Sequence, residues 1–122
     1  LYSLLGDLKY SQNAYQETAD AYERSLALDP ENPQVLNNLA WLYATSEDES
    51  IRRPARALSL ALQAEKLDPS PHILDTLAEC YFVNGDIAAA IHFEQRAVET
   101  AEEKHTYYQD QLERFRKALE ES

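Results

Sequence analysis

The chain has 122 residues, with 22 acids against 11 bases, and its formal net charge is −11. A charge of this sign disfavours binding to nucleic acids and to anionic membrane surfaces, because both attract clustered Lys and Arg. A hydrophobic content of 44% is sufficient for a packed core, and the presence of only two glycines disfavours glycine-rich phosphate loops and favours helices.

No apolar run reaches the roughly 18 residues that a membrane-spanning helix needs, so direct membrane insertion is not expected. The single cysteine, Cys80, cannot form an internal disulfide, which leaves the redox compartment open. The chain begins with Leu1 rather than Met, so we expect a piece of a longer protein. Any targeting or membrane segment would then lie outside this piece, and the cytoplasm is the favoured compartment for a soluble domain.

Apolar residues recur at steps of three and four along most of the chain, which is the period of an amphipathic α-helix. One such face is formed by Val35, Leu36, Leu39, Leu42 and Tyr43. The pattern predicts seven helices, over residues 1–11, 14–28, 33–45, 54–67, 71–84, 87–101 and 105–120.

The helix boundaries carry recognisable signals. Asn32 and Ser70 each precede a proline, which predicts a capping side chain followed by proline at the first helical position. Asn84-Gly85 predicts a left-handed residue after a helix, and therefore a sharp turn. Neither Gly nor Pro occurs from residue 87 to 121, so one continuous helix over the last two predicted helices remains an alternative.

Internal repeats are visible at a spacing of 34 to 38 residues. Leu5-Gly6 recurs as Leu39-Ala40 and again as Leu77-Ala78. In the second helix of each unit, small residues recur where the two helices of a hairpin must approach closely. The residues that carry the repeat are Gly6, Tyr22, Leu26 to Pro30, Leu39 to Tyr43, Ala57, Ala64, Leu67 to Pro69, Leu77-Ala78, Tyr81, Gly85, Ala90 and Ala97.

This pattern resembles tetratricopeptide repeats over nearly the whole chain. The resemblance implies an all-α fold in which antiparallel helical hairpins stack as a right-handed superhelical α-solenoid of about seven helices. We expect a single domain over residues 1–122, with repeats over about 1–32, 33–70 and 71–103. The helix over about 105–120 has one apolar face and resembles the capping helix that closes such an array.

The chain departs from the repeat pattern at several positions. Ala61 and Glu94 stand where the pattern has a large aromatic residue, and Thr18 stands where it has Ala. Lys9 replaces an aromatic residue, and Glu102 replaces Pro. The second unit also carries about five extra residues between its helices, which predicts a polar surface loop.

Catalytic and metal-binding constellations are not apparent in the sequence. The three histidines show no His-x3-His spacing and Cys80 has no Cys-x2-Cys partner, so no metal site or cofactor is expected. Cys80 falls on an apolar face, where a buried thiol is the expected state. The sequence therefore favours a protein that is not an enzyme.

The resemblance implies that the first helices of successive hairpins line a concave face that binds an extended peptide or a partner helix. The predicted groove residues are Asp7, Tyr10, Gln34, Asn37, Asn38, Trp41, His72, Asp75, Glu79 and Phe82. Trp41 is the main aromatic candidate for an anchor, with packing between helices as the alternative. Asn38 is the main polar candidate, because similar repeats often hold an asparagine there that bonds the ligand backbone.

Co-chaperone domains of this family grip a C-terminal carboxylate with Lys, Arg and Asn. The matching positions here hold Ser3, Asp7, Asn38, His72 and Thr76, and only Asn38 agrees. We therefore expect a protein or peptide partner that is neutral or basic and has apolar side chains, bound by a non-catalytic scaffold. The alternative is a structural module that self-associates, as a homo-oligomer, or packs within a larger multidomain protein.

Overall fold

The computed structural model describes residues 15–101 and 106–122. The helices in these ranges are α1 (Tyr15–Leu28), α2 (Pro33–Thr45), α3 (Pro54–Leu67), α4 (Pro71–Val83), α5 (Ile87–Thr100) and α6 (Thr106–Glu121). They agree with six of the seven predicted helices, and the predicted helix over residues 1–11 lies outside the described residues. The alternative of one continuous C-terminal helix is wrong, since α5 ends at Thr100 and Ala101 is extended.

Local signals explain where several helices begin and end. The Oδ1 atom of Asn32 accepts hydrogen bonds from the backbone N–H groups of Gln34 and Val35, at 3.1 and 3.2 Å. Ser70 also precedes a helix, but its side chain makes no capping hydrogen bond. Gly85 has a φ of +87°, a left-handed conformation that glycine adopts without steric cost and that turns the chain after α4.

The helices pack as antiparallel hairpins, as predicted. Helices α2 and α3 form one hairpin, α4 and α5 form the next, and the first helices of these hairpins also contact each other. Ala57, Ala61 and Ala64 on α3 are fully buried, which lets the helices approach closely. The chain is therefore an all-α solenoid of stacked hairpins.

The buried phenol of Tyr43 links helices α1 and α2. The Tyr43 hydroxyl of α2 donates to Glu23 of α1 at 2.9 Å, and Arg56 of α3 pairs with the same carboxylate at 2.9 Å. Burial and the Glu23 carboxylate raise the pKa of Tyr43 to about 12. The phenol is therefore neutral near neutral pH and serves as a hydrogen-bond donor.

The loop between α2 and α3 is attached to the hairpin. Within residues 46–53, Ile51 is only 3% exposed, the Arg53 N–H donates to the Tyr43 carbonyl at 3.0 Å, and Arg52 Nε donates to the Ser46 carbonyl at 2.6 Å. These contacts bring the chain to Pro54, which begins α3 as predicted.

Helix α6 covers the last hairpin. Phe115 is fully buried, and its ring lies 5.0 Å from that of Phe82 on α4. Burial of such a side chain contributes about 1.5–3 kcal/mol to stability, so α6 closes the apolar end of the array. In the part of the chain that the structure describes, no helix combines the length and apolar character needed to cross a membrane.

Candidate functional site

A pocket of about 310 Å³ lies where α1, α2 and α4 meet the start of α6. We call it the groove pocket. Its lining combines aromatic rings, amides, a hydroxyl, an imidazole and one carboxylate. The lining residues are Tyr22, Asn37, Asn38, Trp41, Leu42, His72, Asp75, Thr76 and Tyr107.

Five of the ten predicted groove residues line this pocket, namely Asn37, Asn38, Trp41, His72 and Asp75. They come together because α2 and α4 are the first helices of neighbouring hairpins and present equivalent faces.

Gln34 lies at the edge of this group. Its Nε2 donates to Asn38 Oδ1 at 2.9 Å, and its Oε1 lies 3.2 Å from Nε2 of His72. The amide thus links α2 to α4 beside the pocket.

Two predicted groove residues lie elsewhere. Phe82 packs against Phe115, and Glu79 pairs with Arg114, so both are in contact with α6 rather than in the pocket lining. The physical reason is that α6 packs against α5 and reaches the C-terminal half of α4 with its side chains, where Phe115 contacts Phe82 and Arg114 contacts Glu79. The remaining two predicted residues, Asp7 and Tyr10, lie outside the described residues.

Trp41 is half-buried, and part of it lines the pocket. Thr45, one turn further along α2, donates its hydroxyl to the Trp41 carbonyl at 2.7 Å. The indole thus sits on a regular, packed helix rather than on a loop, which fixes the position of this pocket wall.

Asn37 is the most unusual amide of the pocket. Its residue is only 8% exposed, and its Oδ1 receives no hydrogen bond from the part of the chain that the structure describes. A buried acceptor without a donor costs about 1–3 kcal/mol, so such groups are rare in native proteins. The pocket therefore contains an unsatisfied acceptor.

A second buried group lies behind the pocket. Glu94 of α5 is completely buried, and no N–H or O–H group of the described residues donates to either of its carboxylate oxygens. Its hydrogen-bonding neighbour is the Asp75 carboxylate of α4. Two carboxylates can share a hydrogen bond only when one of them carries a proton.

The proton of this pair resides on Glu94. Burial raises the pKa of Glu94 to about 10, and the neighbouring Asp75 and Glu79 act in the same direction. Burial also raises the pKa of Asp75, but hydrogen bonds from Glu94 and Tyr107 stabilise its charged form. Glu94 is therefore the neutral donor and Asp75 the acceptor, so the negative charge of the pair faces the groove pocket.

Helix α6 supplies the other neighbours of this cluster. Burial and the three carboxylates raise the pKa of Tyr107 to about 12, so its phenol stays neutral near Asp75. Arg114 pairs with Glu79 and lies over the rings of Phe82 and Phe115, at 5.1 and 4.6 Å from their centroids. Arg114 thus pairs directly with Glu79, and its charge also favours the ionised form of Asp75.

Tyr22, Leu42 and Tyr107 line the pocket but were not predicted as groove residues. Tyr107 comes from the capping helix, and a repeat pattern does not indicate which side chain of a cap reaches the groove. Glu94 was marked by a signal in the sequence, because it replaces a large aromatic residue of the repeat pattern. Its burial follows from that position, which faces the interior of the hairpin.

Metal-binding and nucleophilic chemistry receive no support from the described residues. Across 15–101 and 106–122, no three His, Cys, Asp or Glu side chains are placed to hold a metal ion. Cys80 is fully buried, and burial raises the pKa of its thiol, so a reactive thiolate is disfavoured.

Comparison with known proteins places this geometry in a wider context. The family model described as TPR repeat matches residues 6–46. None of the curated proteins matches the chain.

Three similar solved structures cover nearly all of this chain. The first TPR of Spaghetti (RPAP3) bound to the HSP90 peptide SRMEEVD is 23% identical, with a TM-score of 0.83 over 97% of this chain and 90% of that chain. The first TPR domain of human RPAP3 is 21% identical, with a TM-score of 0.84 over 98% and 91%. The Sgt2 TPR domain from Aspergillus fumigatus is 22% identical, with a TM-score of 0.85 over 98% and 78%.

At these identities the solved structures establish the fold. The repeat itself is identified by the sequence match over residues 6–46 and by the small buried residues of the hairpins. The TPR repeat model thus matches residues 6–46, and the described residues share the fold of solved TPR domains.

Proposed function

We propose that the chain is a non-catalytic scaffold that binds a peptide or a segment of a partner protein in its concave groove, at the groove pocket. The observation that carries this proposal is the half-buried Trp41 in the wall of a 310 Å³ pocket between the first helices of neighbouring hairpins. Large aromatic residues at the centre of a concave surface are frequent binding hot spots.

The chemistry of the pocket favours a neutral or basic ligand. The lining holds the Asp75 carboxylate, and no Lys or Arg occurs among the described lining residues. One similar structure contains a peptide that ends in EEVD, with three acids among its last four residues. An acidic terminus of that kind would meet the Asp75 charge here without a cation to oppose it, which costs binding energy.

The experiment is capture of partners from the native host with the wild-type domain and two variants. Trp41→Ala should weaken binding by about 2 kcal/mol or more, as truncation of a hot spot does. Leu67→Ala, which removes an exposed hydrophobic side chain outside the pocket, is the matched control and should bind like the wild type. Equal capture by all three proteins, with unchanged melting temperatures, would contradict the proposal.

The alternative is self-association through the same surface, and it must be distinguished from binding of a partner protein. Light scattering over a dilution series gives the oligomeric state. A concentration-dependent dimer that Trp41→Ala abolishes would assign the groove to a second copy of the chain instead of a partner.

A further inference from the structure

The groove pocket is large enough to admit a long side chain. Pockets that enclose whole small molecules have volumes of about 300–1,000 Å³, and this pocket, at about 310 Å³, is at the lower end of that range. A long side chain that projects from an extended partner segment would fill it, with the partner's backbone lying along the groove.

The polar groups of the pocket require hydrogen-bond donors from the ligand. Asn37 Oδ1 is buried and receives no donor from the described residues, and Asp75 as a residue is only 7% exposed. The Thr76 hydroxyl already donates to the His72 carbonyl at 3.1 Å, so its oxygen presents lone pairs. These three side chains therefore act as acceptors toward a ligand.

The electrostatic surroundings favour a positive charge. Glu79 and Glu94 lie close enough to Asp75 to raise its pKa or exchange a hydrogen bond with it. Among the described residues, the cation that contacts this cluster is Arg114, and it is paired with Glu79. A cationic group next to Asp75 would be attracted by the Asp75 charge, in a setting where burial weakens solvent screening.

Aromatic walls complete the pocket. Trp41 and Tyr107 offer faces against which the methylene groups of a long side chain can pack, and aromatic faces also attract cations. Tyr107 lies on α6, close enough to Asp75 for that carboxylate to raise the pKa of its phenol.

From the size, the acceptors and the walls, we propose that the groove pocket binds a lysine or arginine side chain of the partner. Its stem lies against Trp41 and Tyr107, and its charged head donates to Asp75 and Asn37. This inference rests on the proposed function, and it adds the identity of the group that the site recognises.

The chain contains a single tryptophan, so tryptophan emission reports on this pocket alone. The probes are the blocked tripeptides acetyl-Ala-Lys-Ala-amide and acetyl-Ala-norleucine-Ala-amide, which share an apolar stem and differ in the ammonium group. They are titrated into the wild type, into Asp75→Asn, and into Asp29→Asn, a matched control at an exposed carboxylate outside the pocket.

We expect a saturable change in Trp41 emission with the lysine peptide. A hydrogen bond between charged groups contributes about 1.5–3 kcal/mol, so the norleucine peptide and the Asp75→Asn variant should each bind about 10- to 100-fold more weakly. Asp29→Asn should match the wild type.

Equal affinity for the lysine and norleucine peptides would overturn this inference, and it would leave the proposed function standing because the groove would still bind peptide. Absence of a saturable response to the lysine peptide would also overturn it, whereas the partner capture with Trp41→Ala tests the proposed function separately. The comparison of the two peptides on the wild type does not depend on how well Asp75→Asn folds.

Discussion

Replacement of Glu94 by Gln tests the buried carboxylate pair most directly. Glu94 is completely buried and hydrogen-bonds Asp75, and its pKa rises from 4.5 to about 10 on folding. Between these values the folded state binds one proton more than the unfolded state, so stability falls as the pH rises. At about pH 7, binding this proton lowers the stability of the folded state by about 3 kcal/mol, because the pH lies about 2.5 units above the unfolded pKa of 4.5 and each unit corresponds to about 1.36 kcal/mol.

Gln keeps the shape of Glu and donates an N–H to Asp75 without taking up a proton. The second N–H of Gln, which protonated Glu lacks, stays unpaired, which costs about 1 kcal/mol. We therefore expect Glu94→Gln to be about 2 kcal/mol more stable than the wild type near pH 7 and to lose most of this advantage near pH 5.

The assay is urea unfolding followed by circular dichroism over about pH 5 to 9, a range that lies between the two pKa values. The control is Glu99→Gln on the same helix, where an exposed carboxylate accepts from Gln95 at 3.1 Å; its stability should follow the wild type at every pH. If Glu94→Gln is less stable than the wild type by a constant amount over this range, Glu94 is ionised in the folded protein and the reasoning fails.

Three further predictions concern the frame of the array. Phe115→Ala should lower the free energy of unfolding by about 3–5 kcal/mol, because it removes the ring that joins α6 to α4. A melting temperature that calorimetry finds unchanged would show that α6 is not required as a cap. Asn32→Ala should lower the free energy of unfolding by about 1 kcal/mol, because it removes the cap of α2, and hydrogen exchange should show a less protected start of that helix. The control is Asn84→Ala, which removes side-chain hydrogen bonds to the Pro54 and Cys80 carbonyls and should leave hydrogen exchange at the start of α2 unchanged. Gly85→Ala should cost about 1–2 kcal/mol because its φ of +87° is unfavourable for a side chain although the space is open, and equal urea midpoints for the two proteins would contradict this.

The sequence predicted the helices well because their boundaries depend on local chemistry. Asn32 before Pro33 fixes the start of α2 through bonds within three residues, and Pro54 begins α3 without reference to distant parts of the chain. Ser70 shows the limit of such signals: it occupies the capping position, but its hydroxyl lies 3.2 Å from His72 Nδ1 and makes no capping bond.

The candidate site was predicted less completely because it depends on contacts between distant residues. Repeat positions placed Asn37, Trp41 and Asp75 on equivalent faces of first helices, and the structure places all three in the lining of one pocket. The packing of α6 against α5 is not encoded in the repeat, and it brings Phe115 to Phe82 and Tyr107 into the pocket. The sequence showed that Glu94 stands where the repeat pattern has an aromatic residue, but only the structure showed that Glu94 lies next to Asp75.

Helix α6 joins two tasks that are separate in a simple repeat array. Its Phe115 closes the last hairpin, and its Tyr107 forms a wall of the groove pocket. Inserting another hairpin before α6 would lengthen the array, but it would also move α6 and Tyr107 away from the groove pocket by one repeat unit. The added hairpin would need its own equivalent of Tyr107 to keep the pocket. The length of the array and the specificity of its groove are therefore linked in this chain, and one cannot be redesigned without the other.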